Sequence, residues 1–307
     1  MNVHHIRVGK EAVAAQRRGV KKGLYVVPSL FTAVNIFAGF YSVMASLRGF
    51  QLVGIGGPAN MLAATGYFDY AAIGIGWALV FDTLDGRIAR LTKTTTEIGI
   101  QLDSIADVVS FGLAPAVLAF VWAFGATLQE GSGVHKLAWF LSFMYLMCGG
   151  FRLARFNVQA SRPRPLSEGT PKVDKKSFVG LPIPMAGGMI AAIVHFAPAP
   201  LVQYEPRQAQ ILAGLMMALV GFLSFLMVST LKFSSFKTVG TRVRSMRIII
   251  LCVAMAALIY LYSRWVLLLI AASYVLHGPL LKLWNLMGRL RRPSHRAEEQ
   301  PPTLLEQ

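Results

Sequence analysis

Four carboxylates stand among residues that are otherwise apolar. The 307-residue chain holds 14 Asp and Glu, and most fall where solvent is expected: Glu11, Glu97, Glu130, Glu168, Asp174, Glu205, Glu298, Glu299 and Glu306. Asp82 and Asp85 instead close one long apolar run, and Asp103 and Asp107 open the next. A carboxylate at membrane depth is costly to keep ionised, so its presence points to function and to a partner. The first pair is three residues apart and the second four, so on helices each pair shares a face. Two antiparallel helices joined by the short loop 91–102 would bring all four into one small volume. There they repel one another unless cations neutralise them. Hard divalent cations with oxygen ligands do this and keep positions open for substrate phosphates. Two such ions would orient an attacking oxygen and stabilise a charged leaving group. No Cys or His neighbours the aspartates, which argues against zinc or iron. Taken alone, the acids would also suit a proton or cation pathway, or ion pairs with Arg87 and Arg90. Asp69, near the far end of its apolar run, is expected to snorkel to water.

The elements that must position these groups are membrane spans. The chain is 55% hydrophobic and only 14% charged, with a mean hydropathy of +0.54. That balance implies lipid as the solvent and an all-α polytopic membrane protein. At about 20 apolar residues per crossing, eight segments qualify: 25–47, 67–88, 104–125, 137–158, 177–199, 209–231, 246–263 and 265–287. The last two are expected to form a tight hairpin around Ser263 and Arg264. If the loops alternate sides, 26 of the 30 Lys and Arg fall on one face and only Arg48, Lys136, Arg207 and Arg264 on the other. Positive-inside bias then places both termini, and the aspartates, on the cytoplasmic side of the cell (inner) membrane.

The net charge of +16 is thus accounted for by topology and anionic lipid, and no nucleic-acid partner is expected. Residues 1–24 are basic and read as a segment lying along the cytoplasmic interface. Residues 25–231 form a six-span core, 232–288 two further spans, and 289–307 a disordered tail. Cys148 and Cys252 lie inside apolar runs and read as small core residues.

The carboxylates belong to a longer pattern, Asp82-x2-Asp85-Gly86-x2-Ala89-Arg90-x8-Gly99-x3-Asp103-x3-Asp107. Gly86 lets a nucleotide approach the helix backbone, and Ala89 keeps that face narrow. Arg90 offers a bidentate fork to a diphosphate, and Gly99 lets the next helix start close by.

At every defined position the pattern resembles the signature of the CDP-alcohol phosphotransferases, whose core is six helices. The resemblance implies that Asp82, Asp85, Asp103 and Asp107 bind Mg2+ or Mn2+, two ions being usual. It also implies that Asp107 is the general base on the acceptor hydroxyl. Gly86, Arg90 and Thr96 match positions that contact the CDP moiety. The family's Asn-x-x-Thr in the first span corresponds to Ser29 and Thr32, with Ser29 replacing the usual asparagine.

Four flanking stretches, 87–95, 103–112, 152–157 and 178–184, resemble the integral-membrane bacterial branch that uses serine. The substrates so implied are CDP-diacylglycerol and L-serine, with a homodimer as in the family. Arg152 and Arg155, three apart, could clamp the serine carboxylate; snorkelling cations are the plainer reading of the same pair. Family members with another acceptor, which make phosphatidylglycerophosphate or a phosphoinositol lipid, share the core pattern. A membrane prenyltransferase would normally carry two separate aspartate motifs, and a transporter would not need the spacing of Gly86, Ala89 and Arg90.

Overall fold

The structure is a computed structural model that describes residues 30–92, 97–161, 177–234 and 246–290. The described residues form seven long helices: α1 (Leu30–Ile55), α2 (Pro58–Thr92), α3 (Glu97–Phe124), α4 (Gly133–Ser161), α5 (Ile183–Phe196), α6 (Pro206–Val228) and α7 (Met246–Leu290). Two three-residue strands, β1 (Ser177–Val179) and β2 (Lys232–Ser234), pair antiparallel with Phe178 opposite Phe233. Six of the helices contain stretches long and apolar enough to cross a membrane. The exception is α2, whose apolar surface is interrupted by Asp69, Asp82, Asp85 and Arg87; its 35 residues would still reach about 52 Å.

Several boundaries differ from the sequence expectation: the first span runs to Ile55 rather than 47, and the second begins at Pro58 rather than 67. The segment expected to span from 177 begins as β1, and the helix starts only at Ile183, behind Pro182 with Pro184 in the first turn. Proline suits a helix start because it has no N–H to leave unpaired. Between strand and helix, Gly180 takes φ +84°, and a Cβ there would sit 2.5 Å from the Met227 carbonyl oxygen. The sixth span ends at Val228 rather than 231, and the chain turns into β2.

Within α7, two helices meet at a break at Tyr262 (φ −132°, ψ 41°), directly before Ser263, where the sequence places the turn between its last two spans. From Met246 to His277 there is neither Gly nor Pro, so the break at Tyr262 has no local helix breaker behind it. Positions 289 and 290 still belong to α7, whereas 1–24 and 291–307 lie outside the described residues.

Lipid supplies little apolar driving force between helices, so contact depends on close fit. At Gly39 a Cβ would run into Ser110, and this is where α1 meets α3. Just past Asp107, α3 widens into a π turn at Val108–Leu113, a feature often found at functional sites. Tyr145 of α4, fully buried, donates to the Phe111 carbonyl inside that turn at 3.0 Å. Phe37, Trp139, Leu215 and Phe225 are each more than half exposed and face outward, as lipid contact requires.

Far from the aspartates, three helices are joined by a polar clasp. His195 Nδ1 lies 2.6 Å from Asp69 Oδ1 and its Nε2 2.9 Å from Ser263 Oγ. Asp69 is therefore paired inside the bundle rather than left to snorkel. On α2 it is 13 residues from Asp82, about 20 Å along the axis. Phe196 and Trp265 pack edge-to-face beside the clasp, with centroids 4.7 Å apart.

Candidate active site

The four aspartates converge where α2 and α3 meet. One carboxylate oxygen each from Asp82, Asp85 and Asp103 lie within 4.8 Å of one another. Asp107 falls outside that trio but bears on it: its carboxyl contacts that of Asp82, and Asp103 and Asp85 also act on it electrostatically. Asp85 is 5% exposed and accepts a 3.0 Å hydrogen bond from Thr32 Oγ1 on α1. A third helix thus aims one of the carboxylates.

At such a separation, two ionised carboxylates repel by roughly 3–4 kcal/mol at an effective dielectric of 20. The partners named so far do little to offset this. Asp103 Oδ1 and Asp107 Oδ1 are buried and accept no hydrogen bond. An oxygen-only donor set with free lone pairs, drawn together against its own repulsion, fits a hard divalent cation.

Arg152 on α4 is the cation nearest this cluster to be buried. It is 8% exposed, faces Asp107 and Tyr274, and has an Nε without a hydrogen-bond partner. Arg155, one turn further along, donates from Nη1 to the Val228 carbonyl at the end of α6, at 3.4 Å. The two arginines read as one clamp in the sequence are thus directed differently. Two turns of α4 beyond Tyr145 and Cys148 carry both of them, and Asn157 closes the series by donating to Ser104 Oγ at 2.8 Å. That bond ties α4 to α3 beside Asp103.

Gly86 follows Asp85 on α2 and is partly exposed, as access for a substrate requires. Ser29, Thr96 and the Arg90 side chain lie outside the described residues.

Asn35 was not singled out by sequence reasoning. It lies three residues after Thr32 on the same face of α1, it is fully buried, and neither atom of its side-chain amide has a partner. The signal was there to find: an asparagine inside an apolar span, at helical spacing from a threonine already in question.

Inward-facing carboxylates on two adjoining helices, a threonine and an arginine brought in from two more, and a bundle of membrane-length helices form a candidate cation-binding site in a polytopic membrane protein. The CDP-alcohol phosphatidyltransferase family profile matches residues 25–226, and the chain belongs to that family. A Helicobacter pylori protein named CDP-diacylglycerol–serine O-phosphatidyltransferase is 28% identical over 259 residues, covering 83% of this chain and 90% of its own length. Proteins of the same name from Saccharomyces cerevisiae and Methanocaldococcus jannaschii are 38% identical over 165 residues and 37% over 113. These alignments cover 53% and 37% of this chain, and 51% and 44% of the two relatives.

Proposed function

We propose that this protein transfers the phosphatidyl group of CDP-diacylglycerol to the hydroxyl of L-serine, forming phosphatidylserine and releasing CMP. The observation that carries the chemistry is the juxtaposition of Asp107, with an unpartnered oxygen, and the buried Arg152 that faces it. A serine carboxylate on Arg152 would bring the hydroxyl toward Asp107. Asp107 takes the hydroxyl proton as the serine oxygen bonds to the phosphorus next to diacylglycerol. The bond from that phosphorus to the CMP oxygen breaks, and CMP departs with the electron pair. The same scaffold holds donor and acceptor in line, which supplies much of the rate through positioning.

Asp82, Asp85, Asp103 and Asp107 would hold the divalent cations, Mg2+ or Mn2+. When bound, such ions supply neutralisation of the carboxylates and of charge gathering on the departing phosphate. Thr32, through its bond to Asp85, fixes one carboxylate. It is also assigned, with Ser29, Gly86, Arg90 and Thr96, to the CDP moiety. Residues 25–231 are assigned as the catalytic core, opening to the cytoplasmic face by the distribution of Lys and Arg. A homodimer fits the family; of the small residues that could serve it, Gly74 and Gly149 are already packed on Ala38 and Ile183, whereas Gly76 and Gly150 face open space.

The test is CMP release by purified protein given CDP-diacylglycerol with L-serine, glycerol 3-phosphate or an inositol phosphate. Serine should be the preferred acceptor. Preference for either phosphate would overturn the serine assignment.

A further inference from the structure

Among the described residues, most buried neutral polar side chains of the bundle are paired, but the hydroxyl of Ser42 and the whole side-chain amide of Asn35 are not. Ser46, Ser142 and Ser224 each donate to the carbonyl four residues back in their own helix, at 2.7–2.9 Å. Among the asparagines whose side chains are described, Asn60 donates to the Gly56 carbonyl and Asn157 to Ser104 Oγ, both at 2.8 Å. Asn35 does neither. It is 0% exposed, and both its Nδ2 and its Oδ1 lack a partner. An amide has two N–H donors and a carbonyl acceptor, and burying them unpaired opposes folding.

The neighbourhood says what the amide is for. Thr32, one turn away on the same face of α1, donates to Asp85. The main-chain oxygen of Asn35 accepts from Ser110 Oγ at 2.9 Å, and Ser110 is three residues after Asp107 on α3. Asn35 is therefore bracketed by the carboxylate cluster on one side and the turn following Asp107 on the other. Besides Asn35, the buried orphaned side-chain atoms among the described residues belong to Asp103, Asp107, Arg152 and Ser42. Three of those four residues form the site itself.

We infer that Asn35 binds the acceptor, its Oδ1 receiving the α-ammonium group of the amino alcohol whose carboxylate lies on Arg152. This rests on the serine reading above. A zwitterionic acceptor needs an oxygen opposite its ammonium group, and the aspartate oxygens are committed to cations and to the hydroxyl proton. A neutral amide supplies that oxygen without adding a charge to a site whose charge balance holds the metals. Its Nδ2 remains to donate to a carboxylate beside it. The expense of keeping an unpaired amide in the bundle is the usual mark of a binding residue, for stability and function pull apart at such positions.

The experiment uses the full chain in detergent or vesicles with Asn35→Leu and Asn35→Asp. Leucine keeps the branched side chain with the same number of heavy atoms, in a bulkier form, and removes the orphaned polar atoms, so Asn35→Leu should unfold at the same temperature as wild type or higher. Its KM for L-serine should rise ten- to hundredfold while the KM for CDP-diacylglycerol stays within twofold. Asn35→Asp, which keeps an oxygen, should retain more serine affinity than Asn35→Leu. Inhibition by 3-hydroxypropanoate, which lacks the amino group, should be equal in wild type and Asn35→Leu. An unchanged serine KM, a parallel rise for both substrates, or weaker inhibition by 3-hydroxypropanoate in the variant would each overturn the inference. A lower unfolding temperature for Asn35→Leu with unchanged serine KM would make Asn35 a packing residue. Failure of the serine reading is visible separately, in wild type alone, as CMP release with another alcohol and none with serine.

Discussion

The two ends of this bundle solve the burial of charge in opposite ways. At one end Asp69 of α2 and Ser263 of α7 are each paired with His195 of α5, at 2.6 and 2.9 Å. At the other, Asp103, Asp107, Asn35 and Arg152 all carry buried atoms with no partner, although four helices converge there. Helix α2 contributes to both ends, Asp69 to the first and Asp82 with Asp85 to the second, and both are made of groups that lipid would reject. A polar group buried with its hydrogen bonds made holds elements together; one buried with them unmade is held ready for a ligand. The contrast separates clasp from site more cleanly than does the mere presence of acids.

The comparison can be broken at either end, and the largest effect should come from removing cations. Chelation of divalent metal should abolish CMP release, and Mg2+ or Mn2+ should restore it. Full turnover in excess chelator would remove the metal from the site. Next comes Asp107→Asn, which should lower turnover by about 10²-fold or more while CDP-diacylglycerol still binds; near-normal turnover at neutral pH would rule out its role as base. Arg152→Ala should raise the KM for serine by roughly ten- to hundredfold, the worth of one buried charge-assisted contact. Arg155→Ala should do far less, because Arg155 is turned to the Val228 carbonyl. Equal losses in the two variants would restore the paired clamp that their spacing suggests.

The smallest effect on activity should come from the clasp. His195→Leu should cost about 1–3 kcal/mol of stability, seen as a lower unfolding temperature, and Ser263→Ala less. Turnover of the folded protein should be preserved in both. The order Ser263–His195–Asp69 is also one that can activate a hydroxyl. Covalent labelling of Ser263 by a fluorophosphonate would show that the clasp is itself reactive and collapse the distinction.

Much of the catalytic end was legible in the residues. Asp82 with Asp85, and Asp103 with Asp107, are spaced so that any helix puts each pair on one face, and lipid leaves the backbone little choice but helix. Arg152 was a candidate on charge and position, but its spacing from Arg155 suggested a shared task. Only packing shows Arg152 turned inward to Asp107 and Arg155 turned to the end of α6. Asn35 went unnoticed because its meaning lies in what it fails to touch, and no spacing encodes that. Asp69 was read as a snorkelling acid because its partner, His195, is 126 residues away in the chain.

The sequence by itself determined the solvent, the helical character, a carboxylate set suited to a hard cation and the family pattern. Each of these follows from local rules: apolar run length against bilayer thickness, helical periodicity, and the kinds of atom a hard cation accepts. The tertiary structure alone decided which buried polar groups are partnered and which are not. It also replaced the start of the fifth span by a strand, where Gly180 closely approaches Met227, and placed the break between the last two helices at Tyr262. These outcomes depend on contacts between residues distant in the chain, where small residues and side-chain volumes set how near two helices can come. Local pattern cannot carry that information, because the same helix could be satisfied by several neighbours until packing selects one.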